Sequence, residues 1–160
     1  MTELEEIYNS YFKDVYYFIY SISKDRHLAE DLTSETFVKA MKSIESFKGN
    51  CDIKVWLFQI AKNSYYSYIR KHKKLVGLDS VPERKDDFDI EKSLLSSEES
   101  MKIHEIIHNL SEPYKEVFSL RVFGELSFRQ IASLFDKTDN WACVTFHRAR
   151  NKIKEEMRDY

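Results

Sequence analysis

The 160-residue sequence predicts an all-α protein: two small helical domains joined by a flexible acidic linker. Three observations carry that expectation. Gly 3 and Pro 2 are too few for the turns of a strand-rich fold, and this favours long helices with few connections. Apolar residues recur at spacings of three and four along most of the chain, as on one face of a helix. From Leu75 to about Ser97 that period fades into a stretch with Gly77, Pro82 and Asp86-Asp87-Phe88-Asp89.

The elements follow in order. Ile7, Tyr11, Val15, Phe18 and Ile22 predict a helix over Leu4 to Ser23. Leu28, Leu32, Phe37, Ala40, Met41 and Ile44 predict a second from about His27 to Glu45. Phe47 to Asp52 reads as a loop with a Gly49-Asn50 turn signal, and Asp52 as the N-cap of a third helix running to Lys74. After the linker, Met101, Ile103, Ile106, Ile107 and Leu110 form a helical stripe. Ser111-Glu112-Pro113 reads as a capped helix start, with the helix continuing to about Val122. Ser127 with Gln130 three residues on fits a capping box. A short helix to Phe135, a polar break Asp136 to Asp139, and a final helix Asn140 to Met157 complete the chain. The domains are therefore expected at 1–74 and 100–160, with the linker at 75–99. Units that small have modest cores, so each is expected to lean on a partner.

Composition, at 42% hydrophobic and 32% charged, excludes a disordered chain. Cys51 and Cys143 lie far apart and form no CxxC pair, which points to a reducing cytoplasm. The acidic start MTELEEIYNS lacks the pattern of a signal peptide, and no apolar run approaches the ~18 residues of a membrane span. The net charge of −2 hides an uneven distribution. Residues 1–74 and 101–160 are mildly basic, while the connector between them is strongly acidic. Basic clusters are what phosphate contacts require, whatever the total charge.

Residues 127–150 read as a helix-turn-helix. Ala132 supplies the small residue where two helices cross closely, and the polar break supplies the turn. On the last helix, Asn140, Trp141, Val144 and Thr145 are expected toward base edges, and His147, Arg148 and Arg150 toward the DNA backbone. Ser127, Arg129 and Gln130, at the start of the preceding helix, are further candidate DNA-binding residues. The alternative is a small helical bundle whose Lys and Arg are simply solvated.

His104-Glu105-Ile106-Ile107-His108 matches the H-E-x-x-H string of zinc proteases. Against a metal site, no convincing third ligand accompanies it, and Ile106 and Ile107 are explained as a core face. No metal, cofactor, catalytic residue or small-molecule substrate is expected.

Three blocks together resemble the extracytoplasmic-function (ECF) group of bacterial RNA polymerase sigma factors. The first is Ala29-Glu30-Asp31-Leu32 running into Glu35-Thr36-Phe37-Val38-Lys39-Ala40. The second is Phe47-Lys48-Gly49 with Trp56-Leu57-Phe58-Gln59-Ile60-Ala61-Lys62-Asn63 and Tyr68-Ile69-Arg70-Lys71. The third is Leu110, Tyr114 to Phe118, Leu120-Arg121, Ser127-Phe128, Ile131-Ala132 and His147-Arg148-Ala149-Arg150.

The resemblance implies a region-two-like bundle of three or four helices and a region-four-like helix-turn-helix domain. Asp31, Leu32, Ser34, Glu35 and Phe37 would bind the clamp helices of the polymerase's largest subunit. The helix-turn-helix domain would meet the flap of the second largest. Lys48, Gly49, Asn50, Cys51, Asp52, Asn63, Tyr66, Arg70 and Lys71 would capture and hold the opened minus-ten element. Residues 127–150 would grip the minus-thirty-five element. Trp56, in an apolar stretch, is read as core support for the loop, with stacking on a base as the alternative. The acidic connector would thread toward the active site and RNA-exit path. A cognate anti-sigma factor, often membrane-anchored in this family, is a further expected partner. The chain would be a cytoplasmic, non-enzymatic factor that directs promoter-specific initiation. The competing reading is a stand-alone helix-turn-helix regulator, which needs neither the Asp31/Glu35/Phe37 block nor the tyrosine-rich stretch to Lys74.

Two departures stand out. Asp136 occupies a turn position where many relatives have Gly, and Asp tolerates unusual turn dihedrals. Cys143 stands where the family commonly has a basic residue, and Cys makes no bidentate contact to guanine. The upstream element is therefore expected to be read largely through shape and phosphates. A redox-sensitive thiol is the alternative reading of Cys143.

Overall fold

The computed structural model describes residues 3–47, 49, 52–76 and 98–159. Among them the chain is helical, without strands. The first unit holds α1 (Glu3–Ser23), α2 (Arg26–Ser43), a 3-10 turn (Ile44–Ser46) and α3 (Ile53–Val76). The second holds α4 (Glu98–Asn109), α5 (Tyr114–Val122), α6 (Phe128–Phe135) and α7 (Asp139–Arg158). Most of the acidic connector lies outside the described residues.

Local chemistry explains most of the boundaries. Asp25 caps α2, its carboxylate accepting the Leu28 N–H at 3.1 Å. Asp52 begins α3 as expected, its side chain accepting from Lys54 N and its carbonyl from Trp56 N. At α6 both halves of the Ser127/Gln130 box form, Gln130 N donating to Ser127 Oγ at 3.1 Å and Ser127 N to Gln130 Oε1 at 2.8 Å. Asp136 closes α6 in the left-handed region (φ 56°, ψ 46°), so the turn is kept without glycine. Thr138 caps α7, which begins at Asp139, one residue before the expected Asn140.

One expected cap differs. Pro113, not Ser111, occupies the cap of α5, and no side chain bonds its first turn from that position. The first-turn N–H of Glu116 is instead taken by the Glu112 carboxylate at 3.2 Å.

The two units share one core. Val15, Phe18, Ile19 and Phe58 of the first unit belong to the same buried cluster as Val117, Leu120, Leu126 and Ile131 of the second. Phe58 lies at the centre, 5.5 Å from the Phe18 ring and against Gly124, where a Cβ would meet its ring edge at 2.9 Å. The expectation that each unit needs a partner is met within the chain. A smaller cluster of Ile106, Ile107, Leu110 and Ile153 ties α4 to α7.

Candidate functional site

On α2, Asp31, Ser34 and Glu35 are exposed, with Glu35 paired to Lys39 at 2.9 Å along the helix. Leu32 and Phe37, expected to join them on a docking face, are buried at 3% and 7%. They share the inward stripe of Ala29, Thr33, Thr36 and Ala40, so they support the face from beneath. Apolar exposure falls on Val38 and Met41 instead. With Leu4, Glu5, Tyr8, Asn9, Ser34 and Phe37 these two line an open groove of about 690 Å³ between α1 and α2.

Of the expected loop, Lys48, Asn50 and Cys51 lie outside the described residues. Gly49 adopts φ +71°, a conformation glycine takes without strain. Trp56 is half-buried against the core and beside Phe47, ring centroids 5.0 Å apart. Along α3, Asn63, Arg70 and Lys71 are exposed, with Asn63 accepting from the Gln59 amide at 3.1 Å.

In the helix-turn-helix, Ser127, Arg129, Asn140, Val144, His147, Arg148 and Arg150 are exposed. Ala132 is buried at the crossing of α6 and α7. Trp141 is half-buried on Phe135, at 5.1 Å, so it serves mainly as packing. Thr145, expected at base edges, is 5% exposed. It lies three residues after Ala142 and four before Ala149, both fully buried, and therefore faces inward.

Several of these groups bond across the units. Gln130 Nε2 donates to Asp52 Oδ2 at 2.7 Å. The Tyr66 hydroxyl donates to Glu116 Oε2 at 3.0 Å, and Lys62 Nζ lies 3.2 Å from Glu116 Oε1. Lys62 also sits over the Phe135 ring, 3.9 Å from its centroid. Lys54 bridges Asp14 and the Glu125 carbonyl. Burial pushes the Glu116 carboxyl above its ordinary range, opposed by Lys62 and the Tyr66 bond. Burial and the Glu116 charge together hold the proton on Tyr66. Lys62 and Glu116 belong to the quoted motifs, but no signal within either segment pairs them.

The H-E-x-x-H histidines are packing groups. His104 stacks on Phe123, centroids 5.6 Å apart, and meets the Tyr20 ring edge-on. Among the described residues no group of three metal-ligating side chains forms. His108 has a buried Nδ1 without a hydrogen-bond partner and a bond to the backbone of Ile22. Burial, then Lys115 and Lys24, lower its pKa below 6.5. A depressed histidine adds stability above its unfolded pKa, and that stability is lost as pH falls below it. Wild type is therefore expected to lose stability relative to His108→Gln as pH falls through and below about 6.5, the ordinary histidine value. Paired urea unfolding curves check this; parallel pH profiles would refute it.

No helix among the described residues is long and apolar enough to cross a membrane. Residues 7–75 match the family model for Sigma-70 region 2, and residues 100–153 that for Sigma-70, region 4. The chain is 35% identical over 159 residues to ECF RNA polymerase sigma factor SigM of Bacillus subtilis, covering 94% of this chain and 93% of that one. It is 27% identical to RNA polymerase sigma factor YlaC of the same organism, covering 96% and 91%. Its fold is similar to that of the sigma factor RpoE solved in complex with the anti-sigma factor NepR from Bartonella quintana. There the TM-score is 0.81 at 24% identity, over 99% and 98% of the two chains.

Proposed function

The chain belongs to the ECF RNA polymerase sigma factors, and from that premise we propose how its residues divide the work of directing transcription initiation. The observation that carries the assignment is that one chain presents an acidic α2 face, a basic aromatic α3 and a helix-turn-helix. A stand-alone regulator has no use for the first two.

Asp31, Ser34 and Glu35, with the apolar groove edge at Val38 and Met41, dock on the clamp helices of the polymerase's largest subunit. Negative charge beside apolar surface suits an amphipathic, basic partner helix. The second unit meets the flap of the second largest subunit. Lys48 to Asp52, with Asn63, Tyr66, Arg70 and Lys71, capture the opened minus-ten strand. Stacking on aromatic rings contributes about 1–3 kcal/mol per base, and the cations hold the backbone. That binding energy offsets unstacking of the duplex. Residues 127–150 grip the minus-thirty-five element chiefly through phosphates. The chain acts in the cytoplasm, RNA synthesis itself belongs to polymerase, and a cognate anti-sigma factor holds it inactive.

Run-off transcription with core polymerase, followed by start-site mapping, tests this reading. Reversing both charges with Asp31→Lys and Glu35→Lys is expected to weaken core binding at least about tenfold, since each like-charge contact costs on the order of 1 kcal/mol. Duplex DNA binding by the free chain should stay as it was. Unchanged affinity for core polymerase would remove α2 from the interface.

A further inference from the structure

The last helix, α7, has two chemically different halves. Asp139 to Phe146 holds no Lys or Arg, whereas His147, Arg148, Arg150, Lys152 and Lys154 crowd the second half. Asp139 adds a negative charge to the first turn. Phosphates are therefore met by the second half, and the first half is left to the base edges, as the opening turns of a recognition helix usually are.

Packing narrows what that first half offers. Ala142 and Thr145 are buried, Trp141 packs on Phe135, and Phe146 stacks on Phe118. Asn140, the half-buried Cys143 and Val144 are left facing outward. Val144 is 37% exposed and belongs to neither buried cluster. Within residues 127–150 no other large apolar side chain is exposed. Val is also a poorer helix former than Ala, so neither packing nor helix propensity accounts for it here. Elsewhere on a surface a single exposed valine calls for no explanation. On the base-facing half of this helix it has a chemical partner. The edges of the bases in the major groove are polar except at the 5-methyl group of thymine.

We propose that Val144 is a specificity-determining residue, which reads a thymine of the upstream element by burying its 5-methyl group. The inference rests on the assignment of residues 127–150 to the minus-thirty-five element. It adds one direct base contact to a grip otherwise made through phosphates. Arg148 follows Val144 by four residues, about 6 Å along the axis and on the same face. The phosphate held by Arg148 thus sets the register at which Val144 enters the groove.

The test uses the holoenzyme formed by the full chain and core polymerase, on promoter DNA identified by start-site mapping. Thymines of the upstream element are replaced one at a time by deoxyuridine, which lacks only the methyl group. At one thymine the wild type is expected to lose about fourfold in affinity, the worth of one buried methyl group. Val144→Ala should lose a similar factor on the natural duplex, and deoxyuridine at that thymine should then make no further difference. Val144→Ile keeps an apolar tip and should keep the preference for thymine. Val144 is exposed and Ala is the better helix former, so Val144→Ala is expected to retain its helical circular dichroism.

Deoxyuridine tolerated at every position overturns the proposal. A methyl penalty that persists undiminished in Val144→Ala does the same, since another residue would then be meeting the methyl. So does a loss in Val144→Ala that is equal on natural and scrambled upstream elements, which would make the valine a purely structural residue. Wild-type run-off transcription separates the two readings. Transcripts together with tolerated deoxyuridine sink this inference alone, whereas an absence of transcripts sinks the proposed function on which it rests.

Discussion

Phe58→Ala is expected to lower the unfolding free energy by about 3–5 kcal/mol, the usual cost of emptying a buried aromatic site. Phe58 is fully buried, and its neighbours Phe18, Gly124 and Leu126 come from both units. The cavity therefore lies in their joint core and weakens docking and folding together. Urea titration followed by circular dichroism measures the loss. A second signature is an expanded radius of gyration before unfolding, because the seat against Gly124 is gone. A fall below about 1 kcal/mol would mean that the units do not depend on each other as the shared core implies.

The second large effect concerns the helix-turn-helix. Replacing both Arg148 and Arg150 with Ala is expected to weaken duplex binding about equally across sequences. The salt dependence should also become shallower by about two units of slope, roughly one for each lost phosphate contact. Gel-shift titrations at several salt concentrations, on matched and scrambled upstream elements, give both quantities. Cys143→Ala is the companion measurement. Cys143 is half-buried and free, so its loss should leave the preference between the two DNAs unchanged. A change confined to one sequence would show that this thiol reads a base.

Local signals carried most of the fold. The Ser127/Gln130 box, the left-handed Asp136 and the Asp52 cap are decided by residues within four positions of each other, which is what a sequence exposes. Periodicity places Leu32 and Phe37 inward, as the structure has them, although motif membership also puts them on the docking face; Met41, inward by the same period, is exposed, and Thr145, read outward, faces inward. Ala142, Thr145, Ala149 and Ile153 recur at three and four, as do Ala29, Leu32, Thr33, Thr36, Phe37 and Ala40. At Leu32, Phe37 and Thr145 periodicity is a better guide than motif membership, and at Met41, on the edge of the stripe, it is not. The docking of the units was not legible. Asp52 and Gln130 are 78 positions apart, and no local rule relates them. Nothing in the α5 segment marks Glu116 as a buried carboxylate, because the side chains that meet it, Lys62 and Tyr66, come from α3.

The seat of Phe58 against Gly124 bears on the lifetime of the free protein in a cell. Parting the units would leave Phe58 and Leu126, both fully buried when docked, facing water. Exposed apolar surface of that kind invites aggregation, and open chains are the substrates that proteases clear. A molecule opened with no polymerase to receive it would therefore be removed faster than one that stays closed. Abundance of the chain would then follow the supply of its assembly partner with no dedicated degradation signal in the sequence.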